Sequence, residues 1–420
     1  MTHFGLACPP FAGHLHPALA LGRELAGRGH RVTLLQIEDV RPAVEAAGLG
    51  FHPLGRGRFP AGTLARVQDG LGRVAGAAAL YGTMAQLQLL TLSLLEDGPA
   101  AVGAAGIEAL LVDQAELGGG TVAERAGVPF MSLASALLMN VEASVPPLFT
   151  SWEYEPSWWG QARNLAAYAS VWNPCLNTVD AYRWLWGLER HRGLNEHFST
   201  LVQLSQQPPE LEFPRAELPA EVHFTGPFFA SGGAAGERPP VDFPFEALDG
   251  RPLVYASMGT AQNRVPGVFQ TIAEACAGLG VQLVISLGGG LSPAELPPLA
   301  GAPLVVRYAP QLALLERASL AITHGGLNTT LEALRYGVPQ VALPMANDQP
   351  GVAARLRWCG AGDFVEPLEL GAPRLRAAIQ RVLERASYRH HARRVRKSIE
   401  QCGGAAAAAD RIERCLARAQ

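Results

Sequence analysis

The sequence predicts an α/β fold with two doubly wound, Rossmann-like domains that face each other across a cleft. Three observations lead to this prediction. Short apolar strands alternate with helical runs in residues 3–133, a segment rich in Gly, Pro, Ala and Ser follows at 226–244, and the alternation restarts at residue 252. Apolar strands joined through helices are typical of parallel sheets buried on both faces. With 420 residues and 48% hydrophobic content, the chain is long enough for two such domains.

The first half opens with a strand, a helix and a second strand. A helix is expected at about 17–26, because Pro17 favours a helix start and Gly29 follows the end. Strands are predicted at 3–7, 31–36, 109–112 and 129–133, with a further helix after Gly120. This order is typical of an open parallel sheet, which binds ligands at the carboxyl ends of its strands.

The second half has the same pattern without a repeat of sequence. Strands are predicted at 252–257 and 282–286, separated by the turn M-G-T and a helix at 266–278, and the tail after residue 373 is helical by period. We therefore assign residues 1–228 to an N-terminal domain, 229–245 to a linker, 246–390 to a C-terminal domain and 391–420 to a terminal helix.

Two segments of the first half are unusually apolar or aromatic. Residues 74–95 carry no charge, but polar residues and two glycines interrupt the run. We expect a helix that packs on the core and forms a wall of an apolar pocket rather than a membrane span. Six of the seven tryptophans lie at positions 152, 158, 159, 172, 184 and 186. They form either a helical cluster on the sheet, a lid or wall for a long apolar ligand, or a surface that rests on a membrane.

The composition excludes several classes of function. A net charge of −3 leaves no basic excess, so nucleic acid is not an expected partner. Lys397 is the single lysine, so the sequence has no G-K-[S/T] phosphate loop and no Schiff-base lysine outside a charged tail. Six scattered cysteines without a C-x-x-C pair suggest a reducing cytoplasm, and the N-terminus begins with a strand rather than a secretion signal.

Residues 308–349 contain the strongest candidate ligand site. Two apolar strands each end in polar residues, and the turn H-G-G-L-N-T and a helix join them. The helix start near Asn328 presents free N–H groups and a partial positive charge, to which phosphate can bind without a metal. His324 and Thr329 add side-chain donors, and Glu332, one turn later, can accept from both hydroxyls of a ribose.

Tyr308 precedes this turn and offers a flat ring on which a base can stack. Base, ribose and phosphate thus each have a candidate partner. A structural interpretation is also open, because Thr329 and Glu332 fit a capping box and the glycine pair fits a tight turn. The order of these features, closed by Asp348 and Gln349 after the next strand, favours binding.

The same stretch closely resembles the nucleotide-sugar signature of the family 1, or UDP-glycosyltransferase, enzymes, which have the GT-B fold. The matching residues are Gln311, His324, Gly326, Asn328, Thr329, Glu332, Gly337, Pro339, Pro344, Asp348 and Gln349. The resemblance implies base stacking on Tyr308, nucleoside contact by Gln311, ribose binding by Glu332, diphosphate binding by His324, Asn328 and Thr329, and sugar binding by Asp348 and Gln349. Plant members carry Trp at the positions of Tyr308 and Leu327.

His14 and Asp113 are the candidate catalytic residues. Both follow strands of the first predicted sheet, so their side chains can reach one crevice. An imidazole oriented by a carboxylate is a suitable base for an alcohol. From the residues alone, His14 could instead cap a helix, His16 could be the active residue and Asp113 could be a turn aspartate. The resemblance favours catalysis, since G-H-x-x-P and L-V-D-Q are similar to the segments that carry the family's base and its orienting Asp.

The resemblance implies an inverting transferase that takes a UDP-sugar, with UDP-glucose expected, and needs no metal cofactor. Thr260 in S-M-G-T joins the expected diphosphate contacts, and the sequence has no D-x-D pair and no His/Cys cluster with zinc spacing. The N-terminal domain would bind the acceptor, and the last helix would cross back over it.

For the acceptor, the whole chain is most similar to bacterial members that add glucose to the terminal hydroxyls of a carotenoid. The segments A-C-P-P-F, V-T-L-L-Q, H-F-T-G-P and N-D-Q-P-G-V-A carry this similarity. A lipophilic acceptor is therefore expected, with peripheral contact at the inner face of a membrane left open. The alternatives are a macrolide, polyphenol or other small natural product as acceptor, and, less expected, a UDP-sugar epimerase or a non-catalytic nucleotide-sugar binder.

Overall fold

Two parallel β-sheets, each covered by helices on both faces, form the two halves of the molecule. This computed structural model describes residues 1–229, 241–260 and 263–419. Residues 230–240 of the predicted linker lie outside the described residues.

The first sheet has seven parallel strands. They are β1 (His3–Ala7), β2 (Arg31–Gln36), β3 (Gly50–Pro53), β4 (Ala109–Asp113), β5 (Phe130–Ala134), β6 (Gln203–Ser205) and β7 (Val222–Phe224). Their spatial order is β3-β2-β1-β4-β5-β6-β7, and in register His3 lies opposite Arg31 while Phe4 lies opposite Ala109. The surrounding helices are α1 (Ala12–Gly27), α2 (Arg41–Ala46), α3 (Thr63–Leu71), α4 (Gly76–Ala105), α5 (Gly119–Ala126) and α6 (Trp158–Leu185).

The second sheet has six parallel strands with the same winding. They are β8 (Leu253–Ser257), β9 (Gln282–Ser286), β10 (Leu304–Val306), β11 (Ala318–Thr323), β12 (Gln340–Ala342) and β13 (Gly362–Phe364), in the spatial order β10-β9-β8-β11-β12-β13. The helices in this part of the chain are α7 (Pro266–Cys276), α8 (Gln311–Arg317), α9 (Leu327–Arg335), α10 (Gln349–Trp358), α11 (Ala372–Glu384), α12 (Ala386–Cys402) and α13 (Gly404–Ala419).

The strand order reverses at one place in each sheet, between β1 and β4 and between β8 and β11. In open α/β sheets a crevice forms there, beyond the carboxyl ends of the strands. The two crevices face each other, and residues from both border one cleft. The predicted pair of doubly wound domains is therefore confirmed.

Helix α1 begins at Ala12, five residues earlier than the sequence predicts, so His14 lies in its first turn and not in a loop. The prediction failed because Pro17 lies inside this helix instead of at its start. Proline there removes one N–H and displaces the carbonyl four residues earlier, which belongs to Gly13. The helix tolerates this loss near its first turn, where backbone groups lack internal partners in any case.

The last helix of the chain packs on the first domain. Ala405, Ala408 and Ile412 of α13 are fully or nearly fully buried in the cluster that contains Leu21 and Leu25 of α1. Arg28 at the end of α1 donates to Asp410 at 2.6 Å and to Glu413 at 2.8 Å. The segment 391–420 was predicted as one helix, but its described part, 391–419, comprises the end of α12 and all of α13. The two helices are separated at Gly403, whose φ is 82°.

Helix α4 contains the uncharged run from Gly76 onward and extends ten residues beyond it to Ala105. Among the described residues it is the one helix long and apolar enough to cross a membrane, and 44% of its apolar window is buried inside the protein. It packs against α5 and α6, with Leu94 and Leu95 in the main core cluster. Its first half faces the cleft.

Candidate active site

The cleft between the two domains has a volume of about 650 Å³. Ten of the twelve predicted site residues line it: His14, Thr260, Tyr308, Gln311, His324, Gly326, Asn328, Thr329, Asp348 and Gln349. The other two lie behind the lining residues: Asp113 is hydrogen-bonded to His14, and Glu332 is hydrogen-bonded to Gln311. The structure thus brings together residues that are separated by up to 335 positions in the chain, from His14 to Gln349.

His14 and Asp113 form a hydrogen-bonded pair on the side of the cleft that belongs to the N-terminal domain. The Nδ1 atom of His14 lies 3.1 Å from both Oδ1 and Oδ2 of Asp113. A carboxylate can only accept, so Nδ1 carries the proton and Nε2 keeps a lone pair. The backbone N–H of Ala115 donates to Asp113 Oδ1 at 2.9 Å and fixes the carboxylate from the other side.

The surroundings raise the pKa of His14 above its ordinary value. Burial alone would lower it, but the charge and the hydrogen bond of Asp113 outweigh burial, and Asp348 adds to them. His14 therefore combines an available Nε2 with a strengthened basicity, which is the requirement for a general base. One fifth of its side chain remains exposed, toward the cleft.

Glu116 is a buried carboxyl behind this pair that the sequence analysis missed. Burial is the main cause that raises the pKa of Glu116 to about 8, opposed by the hydroxyl of Thr91, which donates to it at 3.0 Å, and reinforced by Asp113. Glu116 is therefore protonated at neutral pH, which leaves Asp113 as the charged partner of His14. The sequence V-D-Q-A-E places Glu116 only three residues after Asp113, but a turn acid gives the same pattern.

Asn328 at the start of α9 joins the two domains next to His14. Its Nδ2 donates to the carbonyl of Gly13 at 3.0 Å, and its Oδ1 accepts from Gln206 at 2.8 Å. Pro17 explains the first bond, because it has no N–H with which to bind the Gly13 carbonyl inside α1. The predicted diphosphate contact thus also holds the first turn of α1 against the start of α9. Gln206 gave no signal in the sequence, since its role depends on how the two domains meet.

His324 lies between β11 and α9 in an environment without a carboxylate partner. Burial lowers the pKa of His324 to about 4, so the ring is neutral at pH 7. Gly259 makes room for it: its φ is 70°, and a Cβ there would lie 2.5 Å from His324 Cε1. Within the described chain Nδ1 of His324 has no hydrogen-bond partner. A neutral imidazole in this place can donate one hydrogen bond to an anion.

The residues predicted to contact the nucleoside lie on the wall of the cleft that belongs to the C-terminal domain. Tyr308 is 49% exposed, with its ring available beside β10. Gln311 accepts from the hydroxyl of Tyr255 at 2.9 Å and donates to Glu332. Tyr255, predicted from the sequence only as part of a strand, therefore orients the amide that holds the predicted ribose ligand.

Asp348 and Gln349 begin α10 at the floor of the cleft. Burial raises the pKa of Asp348, whereas nearby His14 and the backbone N–H of Leu137 oppose this rise. Gln349 accepts from the N–H groups of Met345 and Ala346 at 2.8 and 3.0 Å, so its oxygen stabilises the loop before α10. The carboxyl of Asp348 is thus the more available group for a sugar.

The half of the cleft that belongs to the first domain is lined mainly by apolar side chains. Helices α4 and α6 contribute Leu80, Met84, Leu87, Val171 and Trp172 to this lining, and Phe11, Met139, Leu148 and Phe149 join them. Of the six clustered tryptophans, Trp172 is 5% exposed and borders the cleft, while Trp158, Trp159 and Trp184 are 66%, 67% and 77% exposed. The cluster therefore has a buried member at the cleft and exposed members on the outer surface.

Comparison with known proteins identifies the family. Residues 196–399 match the family described as UDP-glucoronosyl and UDP-glucosyl transferase, and residues 12–135 match the glycosyltransferase family 28 N-terminal domain. The chain is 33% identical to a zeaxanthin glucosyltransferase of Pantoea ananas over 100% of its own length and 97% of that protein. The chain belongs to the UDP-glycosyltransferase family.

More distant relatives agree with this result. A 4'-demethylrebeccamycin synthase of Lentzea aerocolonigenes is 29% identical, covering 97% of the chain and 98% of that protein. The solved structure of the glycosyltransferase of kitacinnamycin matches with a TM-score of 0.75 at 24% identity, over 99% of this chain and 98% of that one. The calicheamicin glycosyltransferase matches with a TM-score of 0.74 at 24% identity, over 100% of this chain and 99% of that one. The GT-B fold is thereby confirmed. A UDP-glycosyltransferase binds a nucleotide sugar and a small-molecule acceptor, and the cleft has one polar and one apolar half.

Proposed function

We propose that this UDP-glycosyltransferase is an inverting, metal-independent glucosyltransferase that moves glucose from UDP-glucose to a hydroxyl of a lipophilic acceptor, a carotenoid such as zeaxanthin. The observation that carries the proposal is the His14–Asp113 pair, which faces the start of α9 across a cleft whose first-domain half is apolar. The 33% identity to zeaxanthin glucosyltransferases of Pantoea ananas and Pseudescherichia vulneris supports the acceptor class.

In the proposed reaction, Nε2 of His14 removes the proton of the acceptor hydroxyl as the oxygen attacks the anomeric carbon. Attack comes from the face opposite UDP, so the bond to the β-phosphate oxygen breaks and the configuration inverts. The carboxylate of Asp113 stabilises the imidazolium that results. The proton later leaves His14 for solvent.

The leaving UDP gains negative charge, which the start of α9 is suited to bind. The N–H groups of the first turn and the partial positive charge of the helix favour an anion there. Thr329 and neutral His324 add donors on the same side, and Thr260 faces them. These groups are the support for metal independence, since they supply the charge stabilisation that a divalent ion provides elsewhere.

The test is to incubate the purified protein with UDP-glucose and zeaxanthin in detergent micelles and to measure product masses. We expect zeaxanthin with one or two added hexosyl units, together with released UDP. A parallel reaction with a macrolide and a polyphenol tests the second candidate, which the similarity to 4'-demethylrebeccamycin synthase favours. Transfer to those acceptors and not to zeaxanthin would contradict the carotenoid assignment.

A further inference from the structure

Helix α10 belongs to the C-terminal domain but is fastened to the N-terminal domain along its length. In its first turn the N–H of Gly351 donates to the carbonyl of Leu148 at 2.9 Å. A Cβ on Gly351 would lie 2.2 Å from that oxygen, so the contact excludes any larger residue. At the last residue of the helix, the ring centroid of Trp358 lies 5.4 Å from that of Tyr154 and 5.6 Å from that of Phe213.

Between these ends, Arg355 and Glu212 form a buried ion pair across the domain interface. Nε and Nη2 of Arg355 each lie 2.7 Å from Oε1 of Glu212, and the two side chains are 1% and 4% exposed. The guanidinium carbon also lies 4.5 Å over the ring of Phe213. Burial would raise the pKa of Glu212, but Arg355 and Arg215 lower it overall, so the pair is charged. Removing one partner would leave an uncompensated buried charge.

The pair lies two helical turns from Asp348, on the same face of α10. The carboxyl of Asp348 is bonded by the backbone N–H of Leu137 and is close enough to His14 for each to affect the pKa of the other. By contrast, the predicted nucleoside ligand Glu332 is held by a bond within the C-terminal domain, through Gln311.

We propose that Arg355 and Glu212 are positioning residues that fix the sugar-binding segment 345–349 relative to His14. The segment stays part of the C-terminal domain, where α10 packs on β13 and α9, and the pair fixes how that domain is seated against the one that carries the base. The distance between the sugar and the base is set by this buried pair, while the affinity for UDP is set elsewhere. The inference rests on the proposed function, in which Asp348 binds the donor sugar.

The test compares Arg355→Met, Glu212→Gln and the double variant with the wild type. We expect kcat with UDP-glucose to fall about 10- to 100-fold in each single variant, because small misplacements of reacting groups have effects of this size. The Kd for UDP should change less than about twofold, and the double variant should be no slower than the slower single variant. Arg357→Met is the matched control: Arg357 lies on the same helix but pairs with Asp363 inside the C-terminal domain at 2.7 Å, so kcat should be unchanged.

The pH profile gives a second readout that loss of stability alone would not change. Asp348 raises the pKa of His14. If α10 shifts, this contribution weakens, and the acidic limb of the kcat profile moves to lower pH. Should Arg355→Met fail to fold, as judged by UDP binding, Arg355→Lys keeps the charge but loses the contact from two nitrogens, and the same results are expected.

Wild-type kcat in the single variants, or a loss of UDP affinity equal to the loss of kcat, would overturn the positioning role. The wild type is assayed in parallel with the same donor and acceptor. Absence of transfer by the wild type would count against the proposed function, whereas transfer by the wild type and equally by the variants would count against Arg355 and Glu212 alone.

Discussion

His14 and His324 lie on opposite sides of one cleft, each beside the point where the strand order of its sheet reverses. Burial acts against the charged form of both rings. Asp113 overcomes this effect at His14, whose pKa is raised, whereas burial alone acts on His324 and lowers its pKa to about 4. The neighbouring groups, and not the residue type, therefore make one histidine a base and the other a neutral donor.

The largest expected effect is that of His14→Ala on turnover. A general base contributes roughly 100- to 10,000-fold, so kcat should fall by about 100-fold or more. The affinity for UDP should stay within about twofold, since His14 lies on the acceptor side. Steady-state kinetics and UDP titration measure the two quantities. His16→Ala is the control, because His16 also borders the cleft and should lose little activity; the reverse pattern would transfer the base to His16.

Asp113→Asn should give the next largest effect, roughly 10- to 100-fold in kcat, because the imidazolium loses its stabilising charge. It should also move the acidic limb of the pH–rate profile. The active form of the base is neutral His14, so the rate rises as pH passes through the pKa of His14, which Asp113 raises. Without the charge this pKa falls, and the limb must shift to lower pH. A shift to higher pH would contradict the assignment.

The fold was predictable because it depends on local patterns, and so was the meeting of most candidate site residues at one cleft. Parallel strands leave a clear apolar period, and their carboxyl ends meet at one edge, so His14 and Asp113 could be paired across 99 residues. The start of α1 was not predictable from Pro17, since a proline at the sixth helical position resembles a proline at the first.

What the sequence could not provide was the relation between the domains. Gln206 and the carbonyl of Gly13 bind Asn328 only because the two edges meet in one register. Arg355 is a lone charge in the run G-V-A-A-R-L, which hints at a buried ion pair. The sequence does not indicate its partner, because Glu212 is 143 residues away. Such contacts depend on three-dimensional packing, which periodicity and spacing within one segment do not specify.

Glu332→Ala should weaken binding of the donor UDP-glucose and leave proton removal by His14 unchanged. Loss of a charge-assisted hydrogen bond typically costs about 1.5–3 kcal/mol, so the KM for UDP-glucose should rise roughly 10-fold or more with kcat nearly unchanged. Gln311, which donates to Glu332, would keep its bond to Tyr255. Glu316→Ala on the exposed face of α8 is the control. An unchanged KM in Glu332→Ala would remove the ribose role.

The smallest expected effect, that of His324→Ala, tests the comparison most directly. A neutral imidazole contributes one ordinary hydrogen bond to the diphosphate, about 0.5–1.5 kcal/mol, so the Kd for UDP-glucose should rise roughly 2- to 12-fold. Because the pKa of His324 is about 4, the ring does not titrate near neutrality. The ratio of the variant and wild-type Kd values should therefore be constant between about pH 6 and pH 8. UDP-glucose is the appropriate probe, since a terminal phosphate such as that of UDP titrates at about pH 6 itself. A ratio that grows as pH falls through this range would mean that His324 binds as a cation, and the contrast with His14 would then be lost.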